Sequence, residues 1–307
     1  MNNKYVKIYG NTNVGKVRIN NEDEFIAQAI WDDNHWLAVV IDGVGGHEGG
    51  EVAAEIARTT ILKYLQEFPN GERLSLLKEA VTQANNSIFE ARGQRKDCEE
   101  MCCVLTACIF ELSEIRLNMV HVGDTRLYCY SEKQLQKLSH DHSIIGFYEE
   151  IGSISEEDAM NHPQRNVINR AVGDAIHSVD DEKFIEAQTF PIIAGAIYLL
   201  CSDGLYDMLT STEIISSLDK ENTLQDKVND LIDFANQRGG KDNITVILIQ
   251  VEGNKTTSDT VTIENVPEIV QLPNISAKKH KKLWIGILTF VCFILGLVTG
   301  WLLHEIL

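Results

Sequence analysis

The stretch VVIDGVGGHEGGE, residues 39–51, constrains this chain most. An apolar run ends in an acid, Asp42, and five glycines follow within eight residues. Glycine at that density is conformationally costly, so the backbone there must approach something closely or adopt unusual dihedrals. Neither common phosphate loop fits. In a G-x-G-x-x-G reading Glu48 occupies the third glycine position, and in a P-loop reading Glu51 stands where Lys belongs. The remaining reading is a loop that aims Asp42 at a ligand.

Other acids stand at the edges of apolar segments. Asp203 ends AIYLLCSD and precedes Gly204, Asp242 precedes NITVILIQV, and Glu22 and Asp23 precede EFIAQAI. Each alone is ordinary turn chemistry. Brought to one rim, such carboxylates repel unless a cation neutralises them. Oxygen ligands without Cys or His favour Mg²⁺ or Mn²⁺ over zinc, and the glycines would let Gly43 offer its own carbonyl. Arg18, four residues before Glu22, has the planar fork that suits phosphate oxygens. A carboxylate metal cluster beside such an arginine describes metal-assisted phosphate-ester hydrolysis.

The surrounding pattern sets the fold class. Residues 24–30 and 36–42 read as strands, 49–67 and 73–93 as helices, and MCCVLTACIF, IRLNMVHV and RLYCYS as an antiparallel meander. Residues 139–165 read as polar and irregular. A strand over AIYLLCSD, helices over 211–219 and 223–237, and the closing strand NITVILIQV complete the series. Strands in runs with paired helices between them predict an α+β fold with antiparallel sheets rather than a βαβ alternation.

Three regions are expected: a catalytic domain over 1–252, a polar linker over 253–282, and a span over 283–303. The last is 21 residues without a charge, with Trp284 and Trp301 near its ends. At 1.5 Å per residue it matches a bilayer core, so it predicts one C-terminal transmembrane helix. Residues 254–307 hold five Lys and four acids, leaving 22 Lys and Arg against 41 Asp and Glu in residues 1–253. So acidic a domain argues against nucleic acid as a partner. The opening MNNKYVKIYG has no apolar signal region, so the domain is expected in the cytoplasm with reduced thiols. Seven Cys include no C-x-x-C pair, and Cys102, Cys103 and Cys108 lie in an apolar run, so buried structural thiols are expected.

RINNED (18–23), DGVGGH (42–47), VGDTR (122–126), LSHDHS (138–143), NVINRAVG (166–173), SDG (202–204) and KDNITV (241–246) follow in that order. This series resembles the bacterial branch of the metal-dependent protein phosphatases, the protein-phosphatase-2C-like family, over residues 1 to about 252. The resemblance implies a sandwich of two antiparallel β-sheets flanked by paired helices, with two Mn²⁺ or Mg²⁺ ions at one rim.

Asp42 would bridge both ions, Asp203 and Asp242 would complete the first, and the Gly43 carbonyl and Glu22 would serve the second. Asp23 would support these ligands from behind, and Arg18 would hold the substrate phosphate. Asp124, with Asp203, resembles the acids of a third, weaker metal site. Residues 144–165 fall where bacterial members carry a mobile flap. The implied reaction is hydrolysis of phosphoserine and phosphothreonine in proteins by a hydroxide shared between two metals, opposing a Ser/Thr kinase. Two residues depart from the family pattern: Val44 replaces a His of eukaryotic members, and MCCVLTA replaces M-G-T-T. His47 reads as a cap of the glycine loop. The alternative is a membrane-anchored pseudophosphatase or phosphoprotein-binding regulator of the same fold, but such a protein would be expected to lose ligands, and none is lost here.

Overall fold

The structure is a computed structural model that describes residues 6–45, 49–93 and 100–252. One sheet runs β1 (Val6–Asn13), β10 (Ile244–Val251), β9 (Ile197–Cys201), β6 (Arg126–Ser131), β7 (Gln134–Lys137). The other runs β2 (Asp23–Ile30), β3 (Asp32–Val44), β4 (Cys102–Glu111), β5 (Arg116–Val122), β8 (Glu186–Pro191). Every neighbouring pair is antiparallel.

Period-two alternation sorts each central strand between two cores. On β3, Ala38 and Val40 enter the layer between the sheets, while Val39 and Ile41 face outward to helices. On β10, Ile247 and Ile249 enter the inter-sheet layer, and Val246 and Leu248 face outward. Both faces are covered, and this is why these strands read as unbroken apolar runs.

Helices α1 (Gly49–Glu67) and α2 (Arg73–Arg92) cover β3–β5 with Ala53, Ala57, Ile61 and Leu65, and with Leu77, Ala80, Ala84 and Ile88. Helices α6 (Ser211–Leu218) and α7 (Leu224–Gln237) cover the other sheet through Ile214, Leu218, Val228, Leu231 and Ala235. These positions recur at three- and four-residue spacing, the stripe a helix buries. Capping boxes at Thr210/Glu213 and Thr223/Asp226 start α6 and α7. The layers are helix, sheet, sheet, helix. Truncating one fully buried inter-sheet residue, such as Ile247→Ala, costs about 2–5 kcal/mol.

Residues 139–165 are more regular than the sequence reading predicts. They contain α3 (Ile144–Glu150) and α4 (Glu156–Met160). Ser143 and Ser155 cap them through hydrogen bonds from Gly146 N at 3.0 Å and Asp158 N at 3.1 Å. Strands β1, β7 and β8 and the one-turn α5 (Asp203–Tyr206) also go beyond that reading. Cys103, Cys108, Cys129 and Cys201 are free and buried, and Cys102 is half-buried. Burial pushes the Cys103 and Cys108 thiols up, away from the reactive thiolate. Cys98, Cys292, His47, the linker and the 283–303 span lie outside the described residues. Among the described residues no helix is long and apolar enough to cross a membrane.

Candidate active site

The register of β2 on β3 places Asp23 opposite Asp42, and β4 places Val104 on Asp42's other side. Asp42 sits two residues inside the end of β3, not at its end. Gly43 N donates to Glu22 O at 3.1 Å, which holds Glu22 beside the acid-bearing strand. Asp203 heads α5, directly after β9. Asp242 precedes β10, and Asp124 lies in the turn between β5 and β6.

The glycines are sites of close backbone approach. A Cβ on Gly43 would lie 2.2 Å from Gly50 O and 2.5 Å from Glu22 O. One on Gly50 would lie 2.8 Å from Gly43 O and 2.9 Å from the Glu22 carboxyl carbon. One on Gly204 would lie 1.9 Å from Asn243 O. The first turn of α1 therefore rests directly on the acidic loop, and only glycine permits it.

These elements enclose a cleft of about 350 Å³, lined by Arg18, Glu22, Asp42, Gly43, Asp124, Asp203 and Asp242, with Val44 and Asn166 at its wall. Every site residue named from the sequence lines it except Asp23. The Asp23 carboxylate lies behind, where Oδ2 accepts from Ser202 Oγ at 2.8 Å and Thr245 Oγ1 at 2.7 Å.

Burial pushes the Asp42 carboxyl well above its usual range, and Asp23, Asp203, Asp124 and Asp242 push it further. Asp203 is raised in the same way, by burial and then by Asp124. Asp23 and Asp124 are each raised to about 7, chiefly by burial. Glu22 is raised by burial too. Arg18, the one basic residue of the lining, donates from Nη2 to Asp242 Oδ2 at 2.7 Å and lies 3.7 Å from Glu22 Oε2.

Five carboxylates against one guanidinium leave an excess of negative charge in a desolvated cleft. Protonation or bound cations must offset it. The lining offers carboxylate and carbonyl oxygens and no Cys or His, a donor set that fits hard divalent ions.

Some positioning residues escape the sequence reading. Asn243 Oδ1 accepts from Glu22 N at 2.8 Å, while its Nδ2 donates to Val14 O at 3.0 Å and Asn20 O at 2.9 Å. One buried amide thus fastens the 14–22 loop, with Arg18 and Glu22, to the head of β10. Ser202 and Thr245 are joined through Thr245 N, which donates to Ser202 Oγ at 3.0 Å. These residues lie inside the SDG and KDNITV blocks, but nothing in their spacing singles them out from a turn.

The protein phosphatase 2C family model matches residues 15–248. The serine/threonine phosphatase stp of Listeria monocytogenes is 33% identical over 250 residues, covering 78% of this chain and 93% of that protein. The serine/threonine protein phosphatase PstP of Mycobacterium tuberculosis is 34% identical over 237 residues, 77% of this chain and 43% of that protein. Among solved structures, the PstP catalytic domain in complex with two manganese ions superposes with a TM-score of 0.69 at 31% identity, covering 81% of this chain and 99% of that one. Staphylococcus aureus Stp1 superposes with a TM-score of 0.72 at 27% identity, covering 81% and 96%. On both the family match and these relatives, the chain belongs to the protein phosphatase 2C family.

Proposed function

We propose that this chain hydrolyses phosphoserine and phosphothreonine in proteins with two Mn²⁺ or Mg²⁺ ions, and that it does so anchored to the membrane. The observation that carries the reaction is the desolvated cluster of Asp42, Asp203, Asp242, Glu22 and Asp124, with Arg18 its one basic lining residue. The relatives named as serine/threonine phosphatases, and the manganese-bound PstP domain, support it.

Asp42, Asp203 and Asp242 would hold one ion, and Asp42, the Gly43 carbonyl and Glu22 the other. Asp124 and Asp203 would serve a third. When bound, the ions would supply Lewis acidity and lower the pKa of a water to near neutrality. Asp23, held by Ser202 and Thr245, keeps the β2–β3 edge in register beneath the ligands. Arg18 turns from Asp242 to the substrate phosphate, where its fork matches two oxygens and steadies developing charge. The buried, protonated cysteines are unsuited to nucleophilic attack. A pseudophosphatase is disfavoured because the ligand set is complete.

The domain boundaries at 252 and 282, the span over 283–303, the cytoplasmic placement of the catalytic domain and an opposing Ser/Thr kinase belong to this proposal. The span and the cytoplasmic placement rest on sequence alone: the uncharged run and the four lysines before it. Phosphate release from a phosphothreonine peptide by residues 1–253, with Mn²⁺ and then with chelator, tests the reaction. Turnover that survives full chelation, or its absence at saturating Mn²⁺, refutes it.

A further inference from the structure

The turn that carries Asp124 is gripped at one residue, Gly123. Gly123 N donates to His142 Nδ1 at 3.0 Å. Gly123 O accepts from His121 Nε2 at 2.9 Å and from His142 N at 2.6 Å. These partners fix the His121 tautomer, while at His142 the Gly123 amide competes with Arg170 Nη1, a donor 3.2 Å from Nε2. A carbonyl cannot donate, so His121 carries its proton on Nε2, and its Nδ1 accepts from Thr106 Oγ1 at 2.9 Å. An amide N–H cannot accept, so the Gly123 contact is made with His142 Nδ1 bare and the ring proton on Nε2. Burial, with His121 and Arg170, holds the His142 pKa down to about 3, which keeps that lone pair available.

The grip is tight on its other side as well. Gly123 has φ +108°, and a Cβ there would lie 2.1 Å from Val104 Cγ1. Val104 is the β4 residue paired with Asp42. Gly123, the residue before Asp124, is thus wedged between two imidazoles and the strand beside Asp42. His142 reaches a third wall: its carbonyl accepts from Asn169 N at 2.6 Å, in the segment that brings Asn166 to the cleft. His121, His142 and Glu186 also bring ligand atoms within 4.8 Å of one another. That trio is a poor metal site, because Arg170 Nη1 lies 3.2 Å from His142 Nε2 and both nitrogens of His121 are engaged.

We propose that His121 and His142 are positioning residues: by holding the amide and carbonyl of Gly123 they set the Asp124 carboxylate and with it the Mn²⁺ requirement of the enzyme. The second half rests on the reading of Asp124 as a metal ligand.

Side-chain geometry supplies a crossed test. Asn places an acceptor where His has Nδ1, and Gln places a donor where His has Nε2. His142→Asn and His121→Gln therefore keep the grip, whereas His142→Gln and His121→Asn lose it. In the full chain, the two losing variants are expected to raise the Mn²⁺ concentration for half-maximal turnover of a phosphothreonine peptide about 10-fold, the scale for groups that orient metal ligands. They are also expected to speed hydrogen exchange at the Gly123 amide. The two keeping variants stay near the parent in both readouts. Equal effects of Asn and Gln at both positions, or unchanged exchange at Gly123, overturn the proposal. If one losing variant fails to fold, the pair at the other histidine decides. Asp124→Asn separates the premise: if it leaves the Mn²⁺ requirement unchanged, the reading of Asp124 falls, while Gly123 exchange still decides the grip.

Discussion

Asp23 and Asp42 stand opposite each other across the β2–β3 pair, yet they face different surroundings. Asp23 is turned to two hydroxyl donors, Ser202 and Thr245, from the other sheet. Asp42 is turned to the cleft. Like charges directly across an antiparallel pair are destabilising. The pairing therefore makes sense as a site whose charge is offset from outside, with Asp23 also serving as a pin between the two sheets.

Asp42→Asn is expected to abolish Mn²⁺-dependent turnover and to raise the melting temperature of the metal-free protein. The amide keeps the shape and removes the charge that burial and four neighbouring acids oppose. Kinetics at saturating Mn²⁺ and melting in chelator check both halves. Parent-level turnover would show that Asp42 holds no essential ion.

The metal-free protein should lose stability as pH rises from about 4 to about 7. Asp23 and Asp124 have folded pKa values of about 7 against a usual 3.8, and Asp42 and Asp203 are raised too. In that window these carboxylates bind more protons folded than unfolded, so their contribution falls with rising pH and outweighs the opposite contribution of the two lowered histidines, His121 and His142. The contribution is fully present below about 3.8 and lost through about 7. Mn²⁺ binds the deprotonated carboxylates, so its stabilising effect should grow over the same window. Melting in chelator and in Mn²⁺ across this range measures both. A metal-free melting temperature that rises steadily from pH 5 to 7 would contradict the assigned shifts.

The central architecture was legible in the sequence, and of the four sheet edges only β2 was. The meander β3–β5, strands β9 and β10 and helices α1, α2, α6 and α7 carry strong apolar periodicity because they are covered by other layers. The missed strands β1, β7 and β8 are all sheet edges. In β7, QLQK, only Leu135 packs on a core, and β8, EAQTFP, is half polar, so neither has a pattern to read. The cleft acids were legible because each stands beside a glycine or the boundary of a strong strand. Asn243, Ser202 and His142 were not, because their roles depend on hydrogen bonds to residues 19 to 221 positions away.

Gly204→Ala should inactivate the enzyme without touching a ligand. Its Cβ would meet Asn243 O at 1.9 Å, so α5, with Asp203, must move away from the head of β10, with Asp242. Forced overpacking of this kind costs about 1–3 kcal/mol. Denaturant unfolding and Mn²⁺ titration of turnover read the two effects. Parent-like values in both would mean that the approach of these segments is not needed for the site.

Arg18→Ala should separate substrate from metal. Losing one charge-assisted hydrogen bond to phosphate, worth about 1.5–3 kcal/mol, lowers kcat/KM roughly 10- to 100-fold. The Mn²⁺ requirement should change little, because Arg18 is half-exposed and offers no ligand atom. A large rise in that requirement would instead make the contacts to Asp242 and Glu22 the main role of Arg18.

The proposed topology makes a last prediction, for intact cells. Lys278, Lys279, Lys281 and Lys282 precede the uncharged 283–303 run. By the positive-inside rule the lysine flank stays in the cytoplasm, and the domain before it stays there too. Those lysines would also attract anionic headgroups, at about 1 kcal/mol each. A surface association of that kind is screened by salt, whereas a buried 21-residue apolar helix is not. Protease added to sealed cells should leave the catalytic domain whole and cut it only after lysis, and high salt should leave the protein in the membrane fraction. Cleavage in sealed cells would reverse the orientation. Release by salt alone would remove the span and leave only the lysines at the surface.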